Sequence, residues 1–208
     1  MQRFSYYDSE LETLSRGGIL EIQEQRLRRL MAHVRNSGFY DEKFRNAGIE
    51  TSTITLDNLS SVPFTTKQEL VYEQSAHPLF GRLLTYPRGR YRYFHQTSGT
   101  SGQPLRVLDT QDDWEWWMRC WGTVHRAAGV NEDDVVFIAF SFGPYLSHWA
   151  SMSSAWHVGA TAIAGGGMNT QQRIRAILDN QCTVLVSTPT YALHLAEAAR
   201  EMGLDTAR

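Results

Sequence analysis

The segment Gln96-Thr97-Ser98-Gly99-Thr100-Ser101-Gly102-Gln103-Pro104 concentrates four hydroxyl side chains and two glycines in nine residues. Glycine lets a backbone approach a ligand through angles closed to other residues, and hydroxyls add donors beside the loop's own amides. Together they can surround phosphate oxygens without any charged side chain. The spacing is not that of the P-loop Gly-x4-Gly-Lys-Ser/Thr, because no lysine follows Gly102. By composition alone the same string also describes a flexible Ser/Gly hairpin turn.

Three further stretches could line a site, each where a strand gives way to a helix. Phe140-Ser141-Phe142-Gly143-Pro144-Tyr145 sets Phe140, Phe142 and Tyr145 around Gly143. Those rings can stack on an aryl group or close the core. His148 lies one turn further on and reads as a core or surface histidine. Gly165-Gly166-Gly167 and Thr188-Pro189-Thr190-Tyr191 end the next two expected strands. A plain turn is the simpler reading of the glycines, and a helix cap that of Thr188.

The elements that must position these residues follow from periodicity and stop signals. Leu20, Leu27, Leu30, Met31 and Val34 fall on one face of an amphipathic helix over 19–36, and a second short helix over 39–47 ends at Gly48. Thr66 and Glu69 have the spacing of a capping box. Alternation from Tyr91 to Gln96 predicts a strand, and Pro104 to Asp109 another, so the glycine loop joins two strands. A helix starting at Asp112 or Asp113 carries Trp114, Trp117, Trp121 and Ala128 on one side and stops at Gly129. Strands over 135–140, 160–164 and 183–187 alternate with helices over 145–157, after Asn169-Thr170, and over 189–202. Such alternation predicts an α/β fold, a mostly parallel sheet with crossover helices behind an N-terminal helical segment. The expected division is 1–62, helical, and 63–208, α/β.

Composition narrows the classes. The 208 residues are 42% hydrophobic and 20% charged with a net charge of −2, an ordinary globular balance. Basic residues are scattered apart from Arg26, Arg28 and Arg29, which share a helix with Glu21 and Glu24, so no nucleic-acid partner is expected. No apolar run approaches the roughly 20 residues of a membrane span, and the first residues have no signal-peptide pattern. Cys120 and Cys182 lack metal-ligand spacing and fit a reduced, cytoplasmic setting. Six Trp, nine Tyr and nine Phe are enough for both a core and an aryl pocket.

The string Thr97 to Gly102 resembles the phosphate loop of the adenylate-forming superfamily, Ser/Thr-Ser-Gly-Thr-Thr-Gly-x-Pro, with Ser101 replacing a threonine. LRRLMAHVRNSGFYDEKFRNAGI, VPFTTKQEL, DVVFIAF and STPTYAL are similar, in order, to stretches of phenylacetate-CoA ligases. The resemblance implies an incomplete N-terminal domain of the adenylate-forming fold. It implies a carboxylic acid substrate, ATP and Mg²⁺ for adenylation, and coenzyme A as acyl acceptor. By the same resemblance Thr97, Ser98, Gly99, Thr100, Ser101 and Gly102 hold ATP phosphates. Phe140, Phe142, Gly143, Tyr145, Gly165, Gly166, Thr188 and Pro189 line the acyl pocket. Gln103 stands where many superfamily members carry a lysine. The resemblance covers about half of such a ligase and stops short of the catalytic lysine and the acidic Mg²⁺ ligand. A C-terminal companion piece or a homodimer is therefore expected, and a non-catalytic scaffold module is the competing expectation.

Overall fold

A computed structural model describes residues 5–99, 102–141 and 143–205. The chain forms two compact units, one comprising Asp8–Trp114, the other the chain up to Tyr7 together with everything from Glu115 onward.

Helices dominate the first part of the Asp8–Trp114 unit. A single turn, α1 (Ser9–Glu12), is followed by α2 (Arg16–Val34) and α3 (Gly38–Asn46). Ser15 and Ser37 cap the last two, each hydroxyl accepting from an amide in the first turn. Leu27 and Met31 of α2 pack with Phe44 and Ile54 into a small core. The sequence pattern placed Leu20 and Leu30 on that same face, yet they are 39% and 56% exposed. Leu30 sits at the stripe's margin and Leu20 lies two turns N-terminal to Leu27, so the core covers the C-terminal half of α2.

Helix α4 (Lys67–Ala76) opens with the expected capping box, Thr66 and Glu69 each bonding the other's backbone amide. Glu69 also receives a short hydrogen bond from Lys43 of α3. Two buried polar residues then tie α4 to distant chain. Glu73 accepts from the Arg82 amide, Nε and Nη2 at 2.8, 2.9 and 3.0 Å. Gln74 donates to the Arg106 carbonyl at 2.6 Å and accepts from the Arg106 amide at 3.0 Å. That pair fixes the start of β2 (Arg106–Thr110), which runs antiparallel to β1 (Tyr91–Gln96).

Helix α5 (Gln111–Ala127) follows β2 directly, with Asp113 accepting from the Thr110 amide and hydroxyl. Of the expected tryptophan ridge, Trp114 is buried and stacks on Tyr93 and His95 of β1 at 4.5 and 5.4 Å between centroids. Trp117 is 38% exposed, so the ridge is only partly covered among the described residues.

The unit from Glu115 onward carries three parallel strands: β3 (Val135–Ile138), β4 (Thr161–Ala164) and β5 (Val184–Val186), in the order β4-β3-β5. Right-handed crossovers through α6 (Leu146–His157) and α7 (Thr170–Asp179) are the usual solution for parallel neighbours, and α8 (Pro189–Glu201) follows β5. Val136, Phe137 and Ile138 of the central strand are between 0% and 2% exposed. Val136 and Ile138 face a core with Ala155 and Val158, and Phe137 faces Ile174 and Leu195 on the other side. Boundaries differ from the sequence reading by one or two residues at strand ends, where fraying and capping decide the assignment.

Arg82 holds the Glu73 carboxyl down from 4.5 to about 2. A carboxylate whose folded value is depressed stabilises the fold above its unfolded value, and that contribution disappears as pH falls from about 4.5 towards 2. Glu73→Gln should therefore lower unfolding free energy at pH 7 by about 1–3 kcal/mol. The gap to wild type should shrink in urea titrations run at progressively lower pH; a constant gap would contradict the assignment.

Candidate functional site

The glycine loop forms the tip of the β1–β2 hairpin. Register pairs His95 with Val107 and Gln96 with Arg106, and the ladder then extends past both strands. The Thr97 amide donates to the Leu105 carbonyl at 3.0 Å, and the Thr97 hydroxyl accepts from the Leu105 amide at 3.0 Å. Gly102 closes an inner turn by donating to the Gly99 carbonyl at 2.9 Å. In this conformation the Thr97 and Gly102 amides are thus used inside the hairpin. Ser98 is exposed, and the Thr97 hydroxyl keeps its own proton for an outside acceptor. Thr100 and Ser101 lie outside the described residues.

Gly99 has to be glycine twice over. Its φ is +69°, and a Cβ there would sit 2.9 Å from the Gly102 carbonyl oxygen and 3.1 Å from the Pro104 nitrogen.

Beside it, Gln103, Ser75, Lys67, Gln68, Val71 and Tyr72 line a surface hollow of ≈ 390 Å³. Lys67, the first residue of α4, was not singled out from the sequence. Its place in the VPFTTKQEL stretch is the signal that could have found it, since that stretch has to lie near the loop if α4 clamps β2 through Gln74.

The second group of candidates sits in the other unit, where the chain leaves the three adjacent parallel strands at their C-terminal ends. Phe140, Gly143 and Tyr145 belong to the β3–α6 connection, Gly165 and Gly166 to β4–α7, and Thr188 and Pro189 to β5–α8. Open α/β sheets place ligands at this end. Phe142 lies outside the described residues. Thr188 caps α8 by accepting from the Tyr191 amide at 3.4 Å, with Pro189 in the first turn. Tyr191 Oη lies 3.2 Å from the Thr170 hydroxyl, joining α8 to α7.

His148 is buried, edge-on to Phe140 at 5.3 Å and tilted against Tyr145 at 6.5 Å. Burial holds its pKa below the ordinary value; a hydrogen bond with the Tyr145 backbone opposes this and the Arg173 charge reinforces it. Arg173, which the sequence did not flag, donates from Nε to the Gly165 carbonyl at 3.0 Å and from Nη1 to the Ala139 carbonyl at 3.1 Å. It thus ties together the ends of β3 and β4.

Compared with solved structures, the chain resembles an incomplete domain of the adenylate-forming fold. It superposes on 2-hydroxyisobutyryl-CoA ligase in complex with 2-HIB-AMP and CoA with a TM-score of 0.89 at 27% identity, over 96% of this chain and 43% of that one. An open conformation of the same ligase gives 0.88 at 26% identity, over 96% and 47%.

Within that class the chain resembles an N-terminal portion of a phenylacetate-CoA ligase-like member. The Thermus thermophilus phenylacetate-coenzyme A ligase is 32% identical over 95% of this chain and 44% of its own length. The Escherichia coli enzyme is 31% identical over 94% and 44%, and the Pseudomonas putida enzyme 29% over 96% and 46%. The chain thus spans about half the length of the curated relatives it matches. No family model matches it. Among the described residues no helix is long and apolar enough to cross a membrane.

Gly165 should tolerate no side chain, because an added Cβ would lie 2.7 Å from the Phe137 ring and 2.8 Å from the Ile138 carbonyl. Gly165→Ala is expected to cost about 1–3 kcal/mol as overpacking against a strand that cannot move. Gly167→Ala meets no atom within 4 Å, but its φ of +82° still strains a side chain, by about 1 kcal/mol. Thermal melts of the two variants should therefore rank Gly165→Ala as the less stable.

Proposed function

We propose that the chain is the N-terminal part of an ATP-dependent acid-CoA ligase acting through an acyl adenylate, with an aryl or arylacetic acid as substrate. The observation that carries this reading is Gly99 at a φ of +69° beside the exposed Ser98, just past the β1–β2 ladder, in a chain that resembles phenylacetate-CoA ligases along nearly its whole length.

In the reaction, the acid's carboxylate attacks the α-phosphorus of ATP, forming the mixed anhydride and releasing pyrophosphate; a thiolate of coenzyme A then displaces AMP. No protein nucleophile is required. The task of Thr97, Ser98, Gly99, Thr100, Ser101 and Gly102 is to hold the β and γ phosphates in line, with Mg²⁺ carried in on the nucleotide offsetting their charge. Hydroxyls suit this work because they orient without themselves needing neutralisation. Lys67 supplies a positive charge in the hollow next to Gln103, where a following lysine is absent. Phe140, Phe142, Gly143, Tyr145, Gly165, Gly166, Thr188 and Pro189 form the wall for the acyl group. The aryl preference is supported by Phe140 and Tyr145 and by the named relatives; the 2-hydroxyisobutyryl-CoA ligases show that a similar fold also takes an aliphatic acid.

A C-terminal companion portion, in the same chain or another, is part of this reading. β5 is a sheet edge among the described residues, its Leu185 is 41% exposed, and α7 and α8 border an apolar hollow of ≈ 250 Å³ beside it. Unpaired edges with apolar flanks call for a cover.

Isothermal titration with Mg-ATP and with Mg-pyrophosphate tests the phosphate role. Wild type should bind both. Ser98→Ala should weaken binding about fivefold, the worth of one hydrogen bond near 1 kcal/mol. Thr97→Ser, which keeps the bond to Leu105, should behave as wild type. Absent heats in wild type, or an unchanged Ser98→Ala, would favour a scaffold module over a ligase part.

A further inference from the structure

The end of the parallel sheet contains a buried cation without a counter-ion. Arg173 is 6% exposed, and its guanidinium lies over the Tyr191 ring at 5.1 Å. Its Nε and Nη1 donate to the carbonyls of Gly165 and Ala139. Among the described residues no aspartate or glutamate pairs with it and Nη2 has no acceptor. Two carbonyl dipoles satisfy only two of the five N–H groups of the guanidinium, and Nη2, which is not among the buried unpartnered polar atoms, is open to a solute. Anchoring α7 does not require a charge, because the neighbouring Ile174 already packs under the sheet.

The surroundings indicate what the missing partner is. Phe140, Tyr145 and His148 form one ring cluster and Tyr191 covers the guanidinium. His148, whose pKa is depressed, adds no second positive charge near neutral pH. A single cation bordered by aromatic rings suits a monoanion with an apolar body. A polyphosphate would need several donors and more than one charge.

We propose that Arg173 recognises the carboxylate of the acid substrate through its remaining N–H groups. This rests on the ligase reading above and adds to it a specificity residue outside the expected acyl-pocket set. Arg173 acts on the free acid, whose charge it matches, and loses that match once the carboxylate becomes an anhydride.

Calorimetry on the full chain with phenylacetate, its neutral isostere phenylacetamide, and inorganic phosphate tests the proposal. Wild type should bind phenylacetate at least tenfold more tightly than phenylacetamide. Arg173→Gln should abolish that preference, and Arg173→Lys should restore part of it, an effect that loss of a structural tie alone does not produce. Equal affinity for the two phenyl ligands, failure of wild type to bind phenylacetate, tighter binding of phosphate than of phenylacetate, or a folded Arg173→Gln that keeps the preference would each overturn it. Should Arg173→Gln fail to fold, the wild-type ligand pair together with Arg173→Lys still decides. Mg-pyrophosphate titrated in parallel separates the two readings: if it binds while acid selectivity is missing, only the Arg173 assignment falls; if neither binds, the ligase reading falls with it.

Discussion

Every buried backbone group must find a partner, and in this chain the central strand β3 is where that requirement is most severe. Val136, Phe137 and Ile138 are almost completely covered on both faces, so neither side chains nor water from solvent can complete their backbone hydrogen bonds. Parallel neighbours on both sides do so instead, β4 and β5 pairing with the same three residues. Just beyond the ladder, the Ala139 amide donates to the Val186 carbonyl and the Gly165 amide to the Ile138 carbonyl. The Ala139 and Gly165 carbonyls come next, and Arg173 takes both. The three exits from the sheet are therefore held together by the need to finish a ladder, and the candidate acyl-pocket residues lie on those exits.

The same requirement shapes the hairpin of the other unit. A loop of hydroxyls and glycines would be mobile if its backbone were left to solvent. Here the Thr97–Leu105 pair of bonds and the Gly102–Gly99 turn close it, while Gln74 grips both polar groups of Arg106 one residue further along. Asp113 holds the opposite end of β2, and Trp114 stacks on Tyr93 and His95 of β1. Such closure reduces the entropy lost when a ligand binds, but it also commits two amides that a looser loop could have offered. The exposed Ser98 and the free proton of the Thr97 hydroxyl remain on offer beside them.

Much of this was legible in the residues because the local signals agree with one another. Thr66 with Glu69, Pro189 with Gly203, and the alternation from Tyr91 to Gln96 each predicted an element that the structure contains. The three strand exits were legible too, since strand-to-helix alternation alone puts 140–145, 165–167 and 188–191 at one end of a parallel sheet. Side-chain destinations were less accessible. Leu30 matched the apolar stripe and is exposed, because a stripe reports which face turns inward and not how far the partner extends. Nothing in the sequence marks Arg173; only the carbonyls left at the sheet's end make it a buried residue, and they exist only after β3, β4 and α7 are assembled. Gln74 and Glu73 escaped notice for the same reason, their partners lying 32 and 9 residues away.

On the proposed reading, the two candidate sites embody different answers to binding an anion. A cluster of hydroxyls and amides holds a multiply charged group by spreading contacts over many weak dipoles, and the charge itself is neutralised by a metal that arrives with the ligand. A buried guanidinium holds one charge firmly and discriminates by its presence or absence, since the unpaired state is the unfavourable one. Adenylation asks for both, because pyrophosphate leaves with its charge while the acid loses its own in the bond-forming step. On the proposed reading, a cation that matches the free carboxylate and loses that match in the anhydride stabilises the bound reactant, so the drive towards the adenylate has to come from the phosphate contacts. Each of the two sites can be disturbed without unfolding the other's ladder, since the bonds that close the hairpin and those that finish the parallel sheet share no residue.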